Sequence, residues 1–325
     1  MPFSDIYGQD KQVNVLQGAM KNGRVPHAYL FYGIKGVGKK TTAKTLAKAL
    51  NCREKNADSC DRCPSCLKVD HGNHPDIVFI ESEGAFIKID QIRALQGQIK
   101  FRPFEGRKRV FTIVDADRMN DPAANALLKT LEEPNPSNVL ILTTSRVHKL
   151  PQTIISRCQK IRFNPVRPGT IASFLTDREL IDEELARDIA SSAGGSIGRA
   201  LEIKKDSFFD FKNDVTKILS NAGTIPMSVF FLADSFGKDR DSALQKLNIF
   251  RGWYRDILVY RETRDVNKLI HRDISDATKK LSEKMAGTDI LENIKTISDT
   301  YDAIDRNANR QLILESMAFQ LKGLS

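Results

Sequence analysis

Nine consecutive residues, Gly33-Ile34-Lys35-Gly36-Val37-Gly38-Lys39-Lys40-Thr41, place three glycines and a lysine in the register of a phosphate-binding loop. Glycines allow successive backbone N–H groups to turn inward around phosphate oxygens. Lys39 supplies a cation for the outer phosphates, and a helix opening there adds its positive end. Gly33, Gly36, Gly38, Lys39, Lys40 and Thr41 are therefore the candidate nucleotide-binding residues, and ATP or ADP is the ligand class. Position 40 breaks the pattern. A hydroxyl after the lysine normally ligands Mg²⁺; Lys40 has no oxygen, and its ammonium repels a metal. Thr41 is one residue late, rotated by about 100° on a helix, and does not simply take over.

A second acidic signal follows. Val110-Phe111-Thr112-Ile113-Val114-Asp115 reads as an apolar strand ending in a carboxylate, the arrangement in which an aspartate organises Mg²⁺. Hydrolytic relatives of this pattern place a water-orienting glutamate next, where this chain has Ala116. Asp117 lies one step further, and strand alternation points it elsewhere if the strand continues. Losing such a group typically costs a factor of about 10²–10³ in rate. With two requirements missing, negligible intrinsic ATP hydrolysis is expected.

Four of the five cysteines fall within 15 residues, spaced Cys52-x₇-Cys60-x₂-Cys63-x₂-Cys66. Four thiolates suit tetrahedral Zn²⁺ with no open position, a structural site. An iron–sulfur cluster and four metal-free thiols are the alternatives. His71 and His74 are nearby, but the four cysteines complete a shell without them.

The elements that must position these groups alternate. His27–Tyr32 reads as a buried strand and Lys39–Leu50 as a helix. Asp76–Ile80 is a second strand, Ile89–Ile99 a helix, and Arg109–Val114 a third strand. Pro122–Leu131 is a helix and Val139–Thr143 a fourth strand. Alternation of this kind predicts an α/β domain built on a mainly parallel sheet. Strand signals then stop. Thr170–Lys204 holds three short helical patterns broken at Gly194-Gly195-Ser196, and longer helices follow from about Phe208. Three domains are expected: residues 1–165, 166–207 and 208–325. A formal net charge of +9 and a pI of about 9.2 favour phosphate-rich partners, though the excess is modest over 325 residues. No run approaches the ~20 apolar residues of a membrane span, and the N-terminus lacks a basic–apolar leader; no membrane partner and a cytoplasmic location are expected.

The order of these motifs resembles a known family. His27-Ala28-Tyr29-Leu30-Phe31, the phosphate loop, the four-cysteine insert, the acidic strand and then Ala124-Asn125-Ala126-Leu127-Leu128-Lys129-Thr130-Leu131-Glu132-Glu133-Pro134 and Ser156-Arg157-Cys158 are similar to bacterial DNA polymerase III clamp-loader subunits. The resemblance implies an AAA+ chain with a RecA-like domain, a helical lid and an all-α collar that assembles a ring. Gly38-Lys39-Lys40 and Asp115-Ala116, in place of Gly-Lys-Thr and Asp-Glu, are similar to the delta-prime branch rather than the gamma/tau ATPase branch. On that resemblance the chain loads the sliding clamp on DNA using its neighbours' ATP. Arg157 acts as an arginine finger in the site of an adjacent gamma/tau subunit. The implied partners are gamma/tau and delta subunits, the sliding clamp and primer–template DNA. Thr143-Thr144 stands at the sensor 1 position. Gly198 stands where the ATPase pattern has its sensor 2 arginine, leaving Arg199 one step late as a solvated helix residue; Cys158 reads as packing. The rival readings are a hydrolysing gamma/tau-type subunit, a P-loop kinase of small substrates, and a stand-alone zinc nucleic-acid binder.

Overall fold

The computed structural model describes residues 1–54, 57–205, 228–237, 239–306 and 308–322. The expected boundary at 207/208, and the helix expected to begin near Phe208, lie outside them. The chain divides into two compact units, Met1–Phe174 with Gly195–Arg199, and Leu175–Gly194 with Ala200–Ser325.

The first unit carries five parallel strands: β1 (Ala28–Tyr32), β2 (Ile77–Ile80), β3 (Arg109–Ile113), β4 (Asn138–Thr144) and β5 (Gln159–Arg162), in the order β2-β3-β4-β1-β5. Its helices are α1 (Asp10–Lys21), α2 (Lys39–Asn51), α3 (Pro64–Asp70), α4 (Ile89–Ile99), α5 (Asp121–Glu132) and α6 (Gln152–Ile155). β1 and β4 lie inside the sheet, which explains their unbroken apolar runs: Tyr29, Leu30, Phe31, Val139, Ile141 and Leu142 are all buried. β5, which the sequence reading did not name, is an edge strand. Of Gln159-Lys160-Ile161-Arg162 only Ile161 is buried, so it lacks the apolar signal that marks an inner strand. α1 was also unnamed; it buries only Gln12, Val13 and Leu16 among polar residues.

α5 shows how local chemistry sets an element. Asn120 accepts the Ala123 N–H in its side chain at 3.0 Å, Pro122 sits in the first turn, and Ala123, Ala124, Leu127 and Leu131 form the buried face. That face packs with α4, α6 and the β3–β4 surface into one core.

Pro168–Glu179 forms α7. The second unit then contains α8 (Glu183–Ser192) and, beyond α9 (Ile197–Lys205), five further described helices: α10 (Ser228–Ser235), α11 (Arg240–Thr263), α12 (Ser275–Lys284), α13 (Gly287–Asp305) and α14 (Arg310–Gln320), of which α10 is the shortest. α11 packs on α12 and α13. Ile290, Ile297 and Ile304 recur every seven residues on the buried side of α13, and Phe250, Tyr254 and Ile257 are buried on α11, against which α13 packs. Trp253 donates its indole N–H to Thr278 Oγ1 at 2.9 Å, so its burial leaves no orphaned donor. No helix among the described residues is long and apolar enough to cross a membrane.

Candidate functional site

Parallel strands aim the same end at one crevice, and ligands of such sheets bind beyond their carboxyl ends. Here the phosphate loop follows β1, Asp115 follows β3, and Thr143-Thr144 closes β4. The sequence-expected residues are thus brought to one edge, by the pairing of β1 and β3 with β4.

Gly38 caps α2 at φ 103°, a left-handed conformation that suits glycine. Lys39 lies behind it, 6% exposed, and donates to the carbonyls of Gly33 and Ile34, each at 2.7 Å. The loop's own oxygens therefore take up the ammonium. Burial brings its pKa down to about 8, against the upward pull of Asp115 and Asp117. Lys40 points instead to Glu81, Nζ to Oε1 at 2.5 Å. Thr41 is exposed, and the next hydroxyl, Thr42, is buried and donates to Gly38 O at 2.9 Å. The Thr42 hydroxyl is thus engaged within its own helix turn, and position 40 carries an ammonium paired with Glu81.

A contact that local sequence gave no sign of backs the loop. Gly198 donates its N–H to Gly36 O at 2.8 Å. A Cβ on Gly198 would lie 2.8 Å from Gly36 Cα, and one on Gly36 would lie 2.3 Å from Ser196 Oγ. Two side-chain-free residues allow this backbone approach. The position where the ATPase pattern carries an arginine is therefore packed onto the phosphate loop itself. Arg199 takes part through its backbone, donating its N–H to Ser196 Oγ at 3.1 Å.

The acidic turn differs from the alternation argument. β3 ends at Ile113, and Asp115 adopts a left-handed conformation, φ 51° and ψ 55°, capping a short 3₁₀ turn, Ala116–Arg118. Because the strand does not continue, Asp117 folds back. It accepts from Thr144 Oγ1 at 2.6 Å and from Arg146 Nε at 2.9 Å. Burial raises its pKa, but those donors outweigh it and hold the carboxyl below its usual range. Thr143 accepts the Asp115 N–H at 3.1 Å, so both sensor-position threonines brace the turn. Ala116 is fully buried in the core, which leaves no water-facing side chain at the position after Asp115.

The four cysteines converge. The Sγ atoms of Cys52, Cys60, Cys63 and Cys66 all lie within 4.8 Å of one another. Cys52 stands at the end of α2, and Cys63 caps α3. The Cys63 N–H points at Cys60 Sγ (3.3 Å) and the Cys66 N–H at Cys63 Sγ (3.5 Å), donors that favour thiolate. Burial pushes Cys52 and Cys66 up; at Cys63 burial also works upward, but the N–H groups of Arg53 and Cys66 outweigh it and bring the thiol down to about 6. Cys52 and Cys66 are buried and Cys60 and Cys63 half-buried, and four thiolates this close repel one another unless a dication neutralises them. The donor set and its spread therefore fit a tetrahedral metal of the zinc type. His74 is not in the shell. It accepts the Asp76 N–H at Nδ1 (3.2 Å), leaving Nε2 against Ser65 Oγ at 3.1 Å.

Arg157 sits in the turn after α6. Its side chain is 36% exposed, and it donates from Nη1 to Thr153 O at 2.9 Å and from Nη2 to Glu132 Oε1 at 2.7 Å. Cys158 is buried beside it, its thiol pushed up to about 12 by desolvation.

Two family profiles match the chain: DNA polymerase III, delta subunit, over residues 8–167, and DNA polymerase III, delta subunit, C terminal, over residues 219–323. DNA polymerase III subunit delta' of Bacillus subtilis (strain 168) is 30% identical over 319 residues, covering 97% of this chain and 96% of that protein. DNA polymerase III subunit tau of the same organism is 30% identical over 341 residues, covering 96% of this chain but 60% of that protein. A solved gamma-subunit-related protein from Thermotoga maritima aligns at TM-score 0.44 and 18% identity, over 97% of this chain and 100% of that one, a likeness too low to carry an argument. Identity of 30% to the delta' subunit over nearly the whole of both chains, with the two profile matches, shows that the chain belongs to the delta-prime family of DNA polymerase III clamp-loader subunits.

Proposed function

We propose that the chain is the non-hydrolysing stator of a clamp loader and lends Arg157 to the ATP site of an adjacent gamma/tau subunit. One observation carries this reading: Lys39 gives two of its three donors to carbonyls of its own loop, while Arg157 stays partly exposed at the surface. The phosphate pocket has the fold of an ATP site without its working parts. Lys40 pairs with Glu81 where a metal-binding hydroxyl is needed, Ala116 is core, and Gly198 packs on Gly36. ATP or ADP is at most weakly held there. Arg157, by contrast, keeps a charge that no accessible pH removes. Placed against a neighbour's transferring phosphate, a fixed guanidinium stabilises the charge that spreads over its oxygens.

In this reading residues 1–165 are the RecA-like domain, 166–207 a helical lid and 208–325 a collar that binds gamma/tau and delta subunits. The assembled ring then acts on the sliding clamp and primer–template DNA, toward which the net charge of +9 is favourable. Cys52, Cys60, Cys63 and Cys66 hold Zn²⁺ as a closed structural site that ties the insert to the end of α2.

The test reconstitutes the chain with gamma/tau and delta subunits and measures ATP turnover stimulated by clamp and primer–template DNA. Arg157→Ala is expected to abolish most of that turnover while the ring still assembles. An assembled Arg157→Ala complex at the wild-type rate would refute the finger. Rapid ATP turnover by the purified chain alone would instead establish the hydrolysing gamma/tau-type reading.

A further inference from the structure

Arg157 is held at two corners of its guanidinium by two different elements. Thr153 O belongs to α6 and takes Nη1 at 2.9 Å; Glu132 Oε1 is on the last residue of α5 and takes Nη2 at 2.7 Å. Both anchors stand on fixed backbone. Leu131, next to Glu132, is 3% exposed in the core, and Cys158, next to Arg157, is 7% exposed in the same core. The two side chains are themselves open to solvent, Arg157 at 36% and Glu132 at 51%. An ion pair this exposed contributes little to stability, so folding does not account for it. What it does restrict is the rotamer freedom of a long side chain, and a planar guanidinium forfeits little more once held in a fork.

We propose that Glu132 is the positioning residue for Arg157. Its carboxylate fixes Nη2 while Thr153 O fixes Nη1, so the guanidinium is ordered before the neighbouring nucleotide meets it. Its remaining N–H groups are then free for phosphate oxygens. In this proposal Glu132 performs no proton transfer. It acts only through Arg157, and the inference therefore rests on Arg157 being the finger.

The test is a double-mutant cycle in the reconstituted loader: wild type, Glu132→Gln, Arg157→Ala and the double variant, with Glu132→Ala as a second removal of the charge. Exposure of Glu132 predicts that all of them assemble, which gel filtration checks. Glu132→Gln is expected to lower the stimulated kcat by about two- to fivefold, the range of an exposed ion pair. KM for ATP should stay unchanged, because an interaction felt only in the transition state lowers kcat and kcat/KM together. In the Arg157→Ala background the same substitution should do nothing. A wild-type rate for Glu132→Gln, a rise in rate, or an equal fall in both backgrounds overturns the assignment of Glu132 alone. Arg157→Ala at the wild-type rate overturns the finger, and this inference with it.

Discussion

Lys39 and Arg157 are both cations set at the ends of elements around one sheet, and the chain uses them in opposite ways. Lys39 is 6% exposed, donates to two carbonyls of its own loop, and has its pKa brought down to about 8 by burial. Arg157 has a half-exposed side chain and holds one carbonyl and one carboxylate, both from neighbouring helices. The first cation is satisfied by the fold; the second keeps donors and charge for something outside it. The phosphate loop thus also serves as architecture, since Lys39, at the start of α2, is bonded to the carbonyls of Gly33 and Ile34, just after β1.

The largest expected effect exploits that contrast. Arg157→Ala should lower the reconstituted loader's ATP turnover by roughly 10³-fold, at the lower end of what arginine fingers contribute. Lys39→Met should leave turnover at the wild-type level. Steady-state phosphate release from the two complexes measures both, and a comparable loss from Lys39→Met would erase the distinction drawn here.

Next in size is the metal. α2 carries Lys39 at its start and leads into Cys52 at its end, so the cysteine site anchors the far end of the helix that the lysine opens. Elemental analysis should find about one zinc per chain. Cys60→Ser or chelation should lower the melting temperature by several degrees, the effect of a change of about 1 kcal/mol or more in a domain of this size. A metal-free chain with an unchanged melting curve would leave the thiols without a metal role.

Smaller again is a pH effect specific to Lys39. Its folded pKa, about 8, lies below the unfolded value near 10.4, so the folded state binds fewer protons between them. Stability should therefore rise as pH increases from about 8 to above 10, by on the order of 3 kcal/mol, and the cost of burying the charge is fully present below pH 8. Comparing denaturant midpoints of the wild type and Lys39→Met across that window isolates the effect. A Lys39→Met curve parallel to the wild type would mean that the lysine is not desolvated in solution.

The smallest expected effect is none. Lys40→Thr with Ala116→Glu restores two letters of the hydrolytic pattern, yet it should give no ATP turnover by the chain alone. Gly198 still packs on Gly36, and residue 116 still faces the core. Turnover in that variant would show that the pocket lacks only those two side chains.

Much of the site was readable before any coordinates, because its signals are local. The three glycines and Lys39 mark a strand-to-helix turn within nine residues, and four cysteines within fifteen mark a candidate metal site. The inner strands were legible because burial on both faces makes them apolar throughout. β5 was not, since an edge strand needs only Ile161 buried. For Asp117, alternation applied only if the strand continued, and that condition is not met, because β3 stops two residues before Asp115.

The sequence by itself determined which chemical parts exist: a phosphate loop without its metal hydroxyl, an acidic strand end without its glutamate, four thiols and Arg157. Only the tertiary structure decided how they are engaged. Gly198 meets Gly36 across more than 160 positions, Asp117 is turned back by Thr144 and Arg146, and Arg157 is gripped by Glu132 from another helix. Those pairings join residues distant in the chain through parallel-strand crossovers and core packing, and no local spacing encodes which distant groups will be brought within hydrogen-bond reach.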